Sequence, residues 1–315
     1  YLLGKDIVEE GLAKGVFFKK ENGSIWVDLT DEGLDEKLVL RGDGTSVYIT
    51  QDMGTADLKY QDYQITKSVY VVGNEQDYHF DVLFKIMRKL GRSYGPGLHH
   101  LSYGMVDLPT GKMKSREGTV VDADELMEEM VATAAHHTKE LGKIEGFTEA
   151  QAEELYEILG LGALKYFLLK VDPKKRMLFN PQESIEFQGN TGPFIQYSHA
   201  RIAAILRKAD QIEVNLSAEA FAKLSELAES EANLIQYLND FERKIKQAAE
   251  DYSPAILAQY LFDLAKEYNR FYAELPIFHE KDSQLQSFRV ALSLQTAKTI
   301  KRGMSLIGIQ VPERM

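Results

Sequence analysis

The chain contains no cysteine, so it can form neither a disulfide nor a thiolate metal site. Histidines do not fill that gap: there are seven in 315 residues, and His99-His100 and His136-His137 stand as adjacent pairs instead of at zinc-ligand spacing. Each pair is expected to be structural or solvated, and no metal ligand is assigned. Long apolar runs are missing as well. None approaches the roughly 18 residues of a membrane span, and no basic-then-apolar leader opens the chain. A cytoplasmic protein with no membrane partner is expected. The apolar content, 44%, is still ample for a core, and the length favours two domains over one.

Positive charge is also short. A net charge of -11 argues at first against nucleic acid, because phosphate contacts need cations, and DNA is not expected as a partner. The distribution changes the argument. From residue 190 onward 15 Lys+Arg nearly balance 16 Asp+Glu, and the excess acid, 32 against 22, lies before it. The C-terminal part can therefore carry a local basic face.

The first 110 or so residues alternate short apolar strands with helical stretches. Residues 46–50, 68–72 and 98–106 are strand-like, rich in Val, Ile and Tyr and bounded by Gly, Asp or Asn. Between the last two, 77–90 predicts a helix, with Phe80, Leu83, Phe84, Met87 and Leu90 on one face and Gly91 as a stop. This is a βαβ rhythm and implies a parallel sheet. Gly42-Asp43-Gly44 is read as a hairpin or loop turn. Beyond Asp122 the pattern is almost wholly helical. Thr148-Glu149-Ala150-Gln151 has capping-box form, with Leu155, Ile158, Leu159, Leu164, Phe167 and Leu168 at helical spacing after it. Pro173, Pro181 and 189–193 punctuate a linker. Further helices are expected over 194–209, from Ser253-Pro254 to about 274, and over 282–307, where Gly308 serves as C-cap. The fold class is α/β followed by all-α.

Chemistry concentrates in Gly111-Lys112-Met113-Lys114-Ser115-Arg116-Glu117-Gly118, where three cations and a hydroxyl lie between glycines. Glycines let backbone N–H groups approach phosphate oxygens, and the cations neutralise a leaving pyrophosphate. The plain alternative is a solvated turn. Tyr48, Asp52 and Gln76 offer a phenol, a carboxylate and an amide near expected strand ends, where ligands collect at the carboxyl edge of a parallel sheet, and such groups suit a guanidinium. Their alternative reading is Asp52 as a helix cap and Tyr48 as a half-buried strand residue. Phe194, Tyr197 and Arg201 share one helix face, and an aromatic pair with a cation can stack unpaired bases; aromatics at this spacing also serve as core. Tyr268, Phe271 and Tyr272 form a second aromatic group around Arg270.

Lys112-Met113-Lys114-Ser115-Arg116 resembles the mobile phosphate-binding signature of class I aminoacyl-tRNA synthetases, in the degenerate form of arginyl-tRNA synthetases. Tyr48-Ile49-Thr50-Gln51-Asp52 resembles that family's Tyr-x-Thr-Arg-Asp motif, with Gln51 where arginine often stands, and Val71-Val72-Gly73-Asn74-Glu75-Gln76-Asp77-Tyr78-His79-Phe80 resembles the segment after it. Phe194-Ile195-Gln196-Tyr197-Ser198-His199-Ala200-Arg201-Ile202 is similar to its Tyr-Ile-Gln-Tyr-Ala-His-Ala-Arg-Ile signature, and Val311-Pro312-Glu313-Arg314-Met315 to its carboxyl end. The resemblance spans essentially the whole chain.

It implies arginine binding by Tyr48, Asp52 and Gln76, and ATP binding around Gly73, His79 and Met113. Lys112, Lys114, Ser115 and Arg116 would act catalytically, with no one cation singled out because Lys114, Ser115 and Arg116 stand where the generic signature has serine, lysine and serine. Phe194, Tyr197, Arg201, Tyr272 and Met315 would contact tRNA, the last two on the aromatic group and the chain end. The domains implied are half of a Rossmann-like catalytic domain over 1–122, with the loop at 111–118, a helical stem over 123–189, and a helical anticodon-binding domain over 190–315. Substrates would be L-arginine, ATP with Mg2+, and tRNA(Arg), with no organic cofactor and a monomeric state. The family's His-x-Gly-His motif is absent and Tyr1 is not a methionine, so a C-terminal fragment, inactive alone, is expected. Two other readings are a non-catalytic RNA-binding protein that keeps the bundle and a remnant nucleotide fold, and a small-molecule adenylating or cytidylyl-transferring enzyme, which leaves the bundle unexplained.

Overall fold

A computed structural model describes residues 3–107, 122–142, 144–210, 217, 221, 224 and 226–315. The loop expected over 111–118, with Lys112, Met113, Lys114, Ser115 and Arg116, lies outside the described residues. The chain divides into two compact units, Tyr1–Met105 and Val106–Met315.

In the first unit, helix α1 (Lys5–Ala13) leads into an antiparallel sheet of β1 (Phe17–Lys19), β2 (Ile25–Val27) and β3 (Lys37–Leu40) in sequential order. The expected turn at Gly42-Asp43-Gly44 is present: Gly44 adopts φ 79, a left-handed conformation suited to glycine, and Arg41 N–H donates to Thr45 O at 3.1 Å. The segment expected as a strand over 46–50 instead opens helix α2 (Tyr48–Tyr63). Its β-branched residues suggest a strand, yet Ile49, Thr50, Met53 and Ala56 are buried at helical spacing. Thr50 secures the start, since its hydroxyl bonds both Val47 N–H at 3.1 Å and the β3 carbonyl of Val39. Tertiary packing has overridden local propensity.

The βαβ unit forms as expected. Strand β4 (Ser68–Gly73) pairs in parallel with β5 (Leu98–Tyr103), from Ser68 opposite Leu98 to Gly73 opposite Tyr103, around helix α3 (Asp77–Lys89). Gly91 follows at φ 76. Tyr70 packs its ring against Phe80 and Phe84 of α3 at 5.0 and 5.6 Å, while Val69 and Val71 alternate outward and stay exposed. The core joins Val8, Phe17, Val27, Val39, Met53, Leu83, Ile86 and Met87. A polar clamp holds the helices: Arg92 makes paired bonds to Glu10 of α1 (2.8 and 2.8 Å) and to Asp57 of α2 (2.9 and 2.7 Å), and Tyr94 OH also donates to Asp57. The Arg92 guanidinium lowers the Glu10 carboxyl to about 2.

Among the described residues the second unit is helical apart from loops and a two-residue parallel pairing of β6 (Val106–Asp107) with β7 (Met177–Leu178). Helices α4 (Ala123–Glu140) and α5 (Glu149–Leu169) form a hairpin. Thr148 and Gln151 cap α5 reciprocally, N–H to side chain at 3.0 and 3.3 Å, as the capping box predicts. The short α6 (Pro181–Ser184) leads to α7 (Gly192–Ala209), α8 (Glu229–Glu250), α9 (Pro254–Glu274) and α10 (Ser283–Leu306). Pro254 occupies the first turn of α9, but the Ser253 side chain makes no cap bond; Asp282 caps α10 through Gln284 and Leu285 N–H, and Gly308 sits past its end at φ 71.

One core cluster joins α7, α8, α9 and α10 through Ile195, Ile202, Leu234, Leu261, Leu264, Tyr268, Phe271, Ile300 and Met304. Another joins Met130, Ala134, Leu155, Leu159 and Phe167 of the α4–α5 hairpin to Phe179, which follows β7. Glycines let α5 approach both neighbours: a Cβ at Gly160 would lie 2.7 Å from Met130 O of α4, and one at Gly162 only 2.3 Å from Gln196 Nε2 of α7.

Candidate functional site

Two groups of expected site residues fall on the described chain, one in each unit. In the first unit β4 ends at Gly73, a single 3-10 turn covers Asn74–Gln76, and α3 starts at Asp77. This is the carboxyl edge of the parallel pair. Tyr48 and Asp52 do not leave a strand end, as the sequence suggested; they sit one helical turn apart at the start of α2, hence on one face. Tyr48 is 84% exposed, and Gln76 is exposed as well. Asp52 reaches across to α3, where its Oδ2 lies 2.6 Å from His79 Nε2.

His79, expected toward ATP, is thus engaged with the carboxylate expected for arginine. No sequence signal links them, because the pair is 27 residues apart. Gly73 has ordinary extended backbone (φ -59, ψ 152), and a Cβ there would meet only the Tyr103 ring at 3.7 Å. Among the described residues nothing requires glycine at that position. His100 is a packing residue: Nε2–H donates to Val72 O at 3.0 Å and the ring lies 4.4 Å from that of Phe80.

In the second unit the expected face of α7 carries Tyr197 and Arg201. The Arg201 guanidinium carbon sits 5.0 Å from the Tyr197 ring centre and 5.5 Å from that of Tyr272 on α9, a cation held between two aromatic rings. Its Nη1 donates to Asn269 Oδ1 at 2.6 Å, and Asn269 Nδ2 donates to Ser198 Oγ at 2.9 Å, so the guanidinium plane is fixed. Tyr272 remains 42% exposed, whereas Tyr268 and Phe271 of the same aromatic group turn into the core. The surface line continues away from α9. Phe187 meets Tyr197 edge-on at 6.2 Å, and His137 of α4 stacks on Phe187 at 5.4 Å and 16°. Sequence reasoning missed Phe187 and His137; their elements are separate in the chain and meet only through folding. Phe194 lies differently, half-buried against the core with its ring 5.3 Å from that of Phe262.

Met315 is also partly buried, packed against the core of the α4–α5 hairpin. The segment leading to it is tied at every step. Gln196 Nε2 donates to Gln310 O at 2.8 Å and Ile158 O at 2.9 Å, His199 Nδ1–H to Pro312 O at 2.9 Å, Arg207 to Glu313 O at 2.9 Å, and Arg314 to Glu145 O at 2.9 Å. Burial holds His199 below the usual imidazole range, which keeps it neutral for this bond. Gln196 and His199 lay inside the motif quoted from the sequence, without a role there. Among the described residues no group of three or more His, Asp or Glu is placed to hold a metal ion, and no helix is long and apolar enough to cross a membrane.

Residues 4–180 match the family model described as tRNA synthetases class I (R), catalytic domain, and residues 195–315 match the DALR anticodon binding domain. Over its whole length the chain is 63% identical to an arginine–tRNA ligase of Amoebophilus asiaticus and 60% identical to one of Bacteroides thetaiotaomicron, covering 53% of each. It therefore spans about half the length of these curated relatives. Among solved structures it is similar to the arginyl-tRNA synthetase of Thermus thermophilus, with a TM-score of 0.87 at 26% identity over 99% of this chain and 58% of that one.

Proposed function

Because the chain belongs to the class I tRNA synthetases (R), we propose that it supplies the arginine-binding edge, the phosphate-binding loop and the anticodon-binding bundle of an arginine–tRNA ligase. The reaction is proposed for a protein of full family length that carries this sequence, since the chain spans 53% of its relatives. In it, the arginine carboxylate attacks the α-phosphate of ATP, pyrophosphate leaves, and a hydroxyl of the terminal tRNA ribose then takes the arginyl group as AMP departs.

Tyr48, Asp52 and Gln76 receive the guanidinium: the carboxylate supplies charge, the amide and phenol oxygens accept hydrogen bonds. Gly73 and Met113 face ATP. Lys112, Lys114, Ser115 and Arg116 hold the phosphates as charge develops on the leaving pyrophosphate. Magnesium enters as the counter-ion that ATP brings, and no step is routed through it. Tyr197, Arg201 and Tyr272 take the tRNA, with Phe194 and Met315 as further contacts. In domain terms, 1–122 belongs to the catalytic domain, 123–189 is the stem and 190–315 the anticodon-binding domain.

The observation that supports this reading most directly is the placement of Tyr48 and Asp52 on one face at the start of α2, with Asp52 reaching the first turn of α3 just beyond Gln76. Pyrophosphate exchange with arginine, ATP and cognate tRNA tests it. The full-length protein is expected to exchange only with arginine, and the present chain not at all, because transition-state stabilisation needs donors on both sides of the phosphate. Binding of tRNA without arginine-dependent exchange in the full-length protein would favour a non-catalytic RNA-binding protein instead.

A further inference from the structure

We propose that His79 is a positioning residue for arginine recognition, holding Asp52 so that one carboxylate oxygen is fixed and the other is presented to the guanidinium. This rests on the reading that Asp52 receives the guanidinium. The geometry is specific. Asp52 sits at the open start of α2 with 41% of its side chain exposed, where an unrestrained carboxylate would sample several rotamers and lose entropy on binding. His79 Nε2 lies 2.6 Å from Asp52 Oδ2. An ionised carboxylate can only accept, so Nε2 carries the proton of that bond.

The imidazole is itself anchored. Its ring meets Phe80 edge-on at 5.6 Å, and Phe80 packs against Phe84, Tyr70 and His100 at 5.8, 5.0 and 4.4 Å. That cluster ties the first turn of α3 to β4 and β5, so Asp52 is referenced to the sheet edge beyond which Gln76 stands. The bond from Nε2 engages Oδ2 and, among the described residues, leaves Oδ1 to face the guanidinium. His79 therefore serves the amino-acid pocket through Asp52, not the nucleotide.

The test is a double-mutant cycle in the full-length protein, read by the KM values for arginine and for ATP in pyrophosphate exchange with cognate tRNA present. His79→Phe keeps a ring and removes the donor; His79→Gln restores an N–H near the position of Nε2. His79→Phe is expected to raise the arginine KM about tenfold and leave the ATP KM within about twofold, with most of the loss recovered by His79→Gln. In an Asp52→Asn background, His79→Phe should add less than about twofold. An equal rise in the ATP KM, or an undiminished effect in the Asp52→Asn background, overturns the proposal and returns His79 to the nucleotide side. If Asp52→Asn alone leaves the arginine KM unchanged, it is the assignment of Asp52 that fails, and the role of His79 with it. A fall in melting temperature with both KM values unchanged would show a structural tie only.

Discussion

The most demanding single residue outside the proposed sites is Arg289 of α10, whose side chain is 5% exposed and meets Glu231, 1% exposed, at 2.7 Å and Glu280 at 2.8 Å. Its Nη1 also donates to Pro276 O at 2.7 Å, so one guanidinium joins α8, α10 and the segment between α9 and α10. Buried charge is costly unless every group is paired, and removing one partner strands the other. Arg289→Met should therefore destabilise the bundle by about 3 kcal/mol or more, while Arg289→Met with Glu231→Leu should recover a large part of that loss. Urea denaturation followed by the helical signal checks both; equal losses in the single and double variants would show that packing volume, not stranded charge, sets the cost. Neither this pair nor Asp52–His79 was legible in the sequence, because partners 58 and 27 residues apart carry no local pattern. The polar residues of the quoted motifs were legible, but their geometry was not, and Tyr48 stands on a helix where a strand end was expected.

Elements show where periodicity succeeds and where it fails. Helix α3 and strand β4 were readable from apolar spacing and bounding residues, and the capping box of α5 is formed by the residues that spelled it. The sheet of β1, β2 and β3 was not, since strands of three and four residues are too short to show alternation. Helix α2 was misread at its start because the β-branched Ile49 and Thr50 signal a strand locally, while burial at 49, 50, 53 and 56 needs the whole turn to be seen. The close approach of α5 to α7 was equally hidden, although it rests on two glycines, Gly162 of α5 and Gly192 of α7. An added methyl at Gly162 would meet Gln196 Nε2 at 2.3 Å, and Gln196 is wholly buried, bonded to Ile158 O and Gln310 O. Gly162→Ala should therefore lower stability by about 1 to 3 kcal/mol through lost hydrogen bonds, despite alanine's better helix propensity. In a Gln196→Ala background the same change should be neutral or stabilising. Melting temperatures of the four proteins separate the cases, and an equal loss in both backgrounds would place the clash elsewhere.

For the whole molecule, the net charge of -11 pointed away from nucleic acid, yet it is distribution that bears on partners, and the aromatic line of the second unit gives it a focus. His137, Phe187, Tyr197 and Tyr272 come from the α4–α5 hairpin, the linker after α6, α7 and α9, with Arg201 between the last two rings. Only Tyr197, Arg201 and Tyr272 were visible as candidates in the sequence; the line exists because folding brings together elements some 135 residues apart, from His137 to Tyr272. Rings held partly exposed around a fixed guanidinium suit unpaired bases, and stacking is worth roughly 1 to 3 kcal/mol per base. Tyr197→Ala should then weaken binding of an arginine-tRNA anticodon stem-loop by about tenfold, and Phe187→Ala should weaken it measurably if the line is used along its length. Tyr197 is also half-buried beneath Arg201, so its loss should lower the melting temperature as well. Affinity is therefore measured well below that temperature, on protein whose helical signal matches the parent. Loss of stability with unaltered affinity for the stem-loop would show that the rings serve packing alone, and would move the RNA surface away from α7.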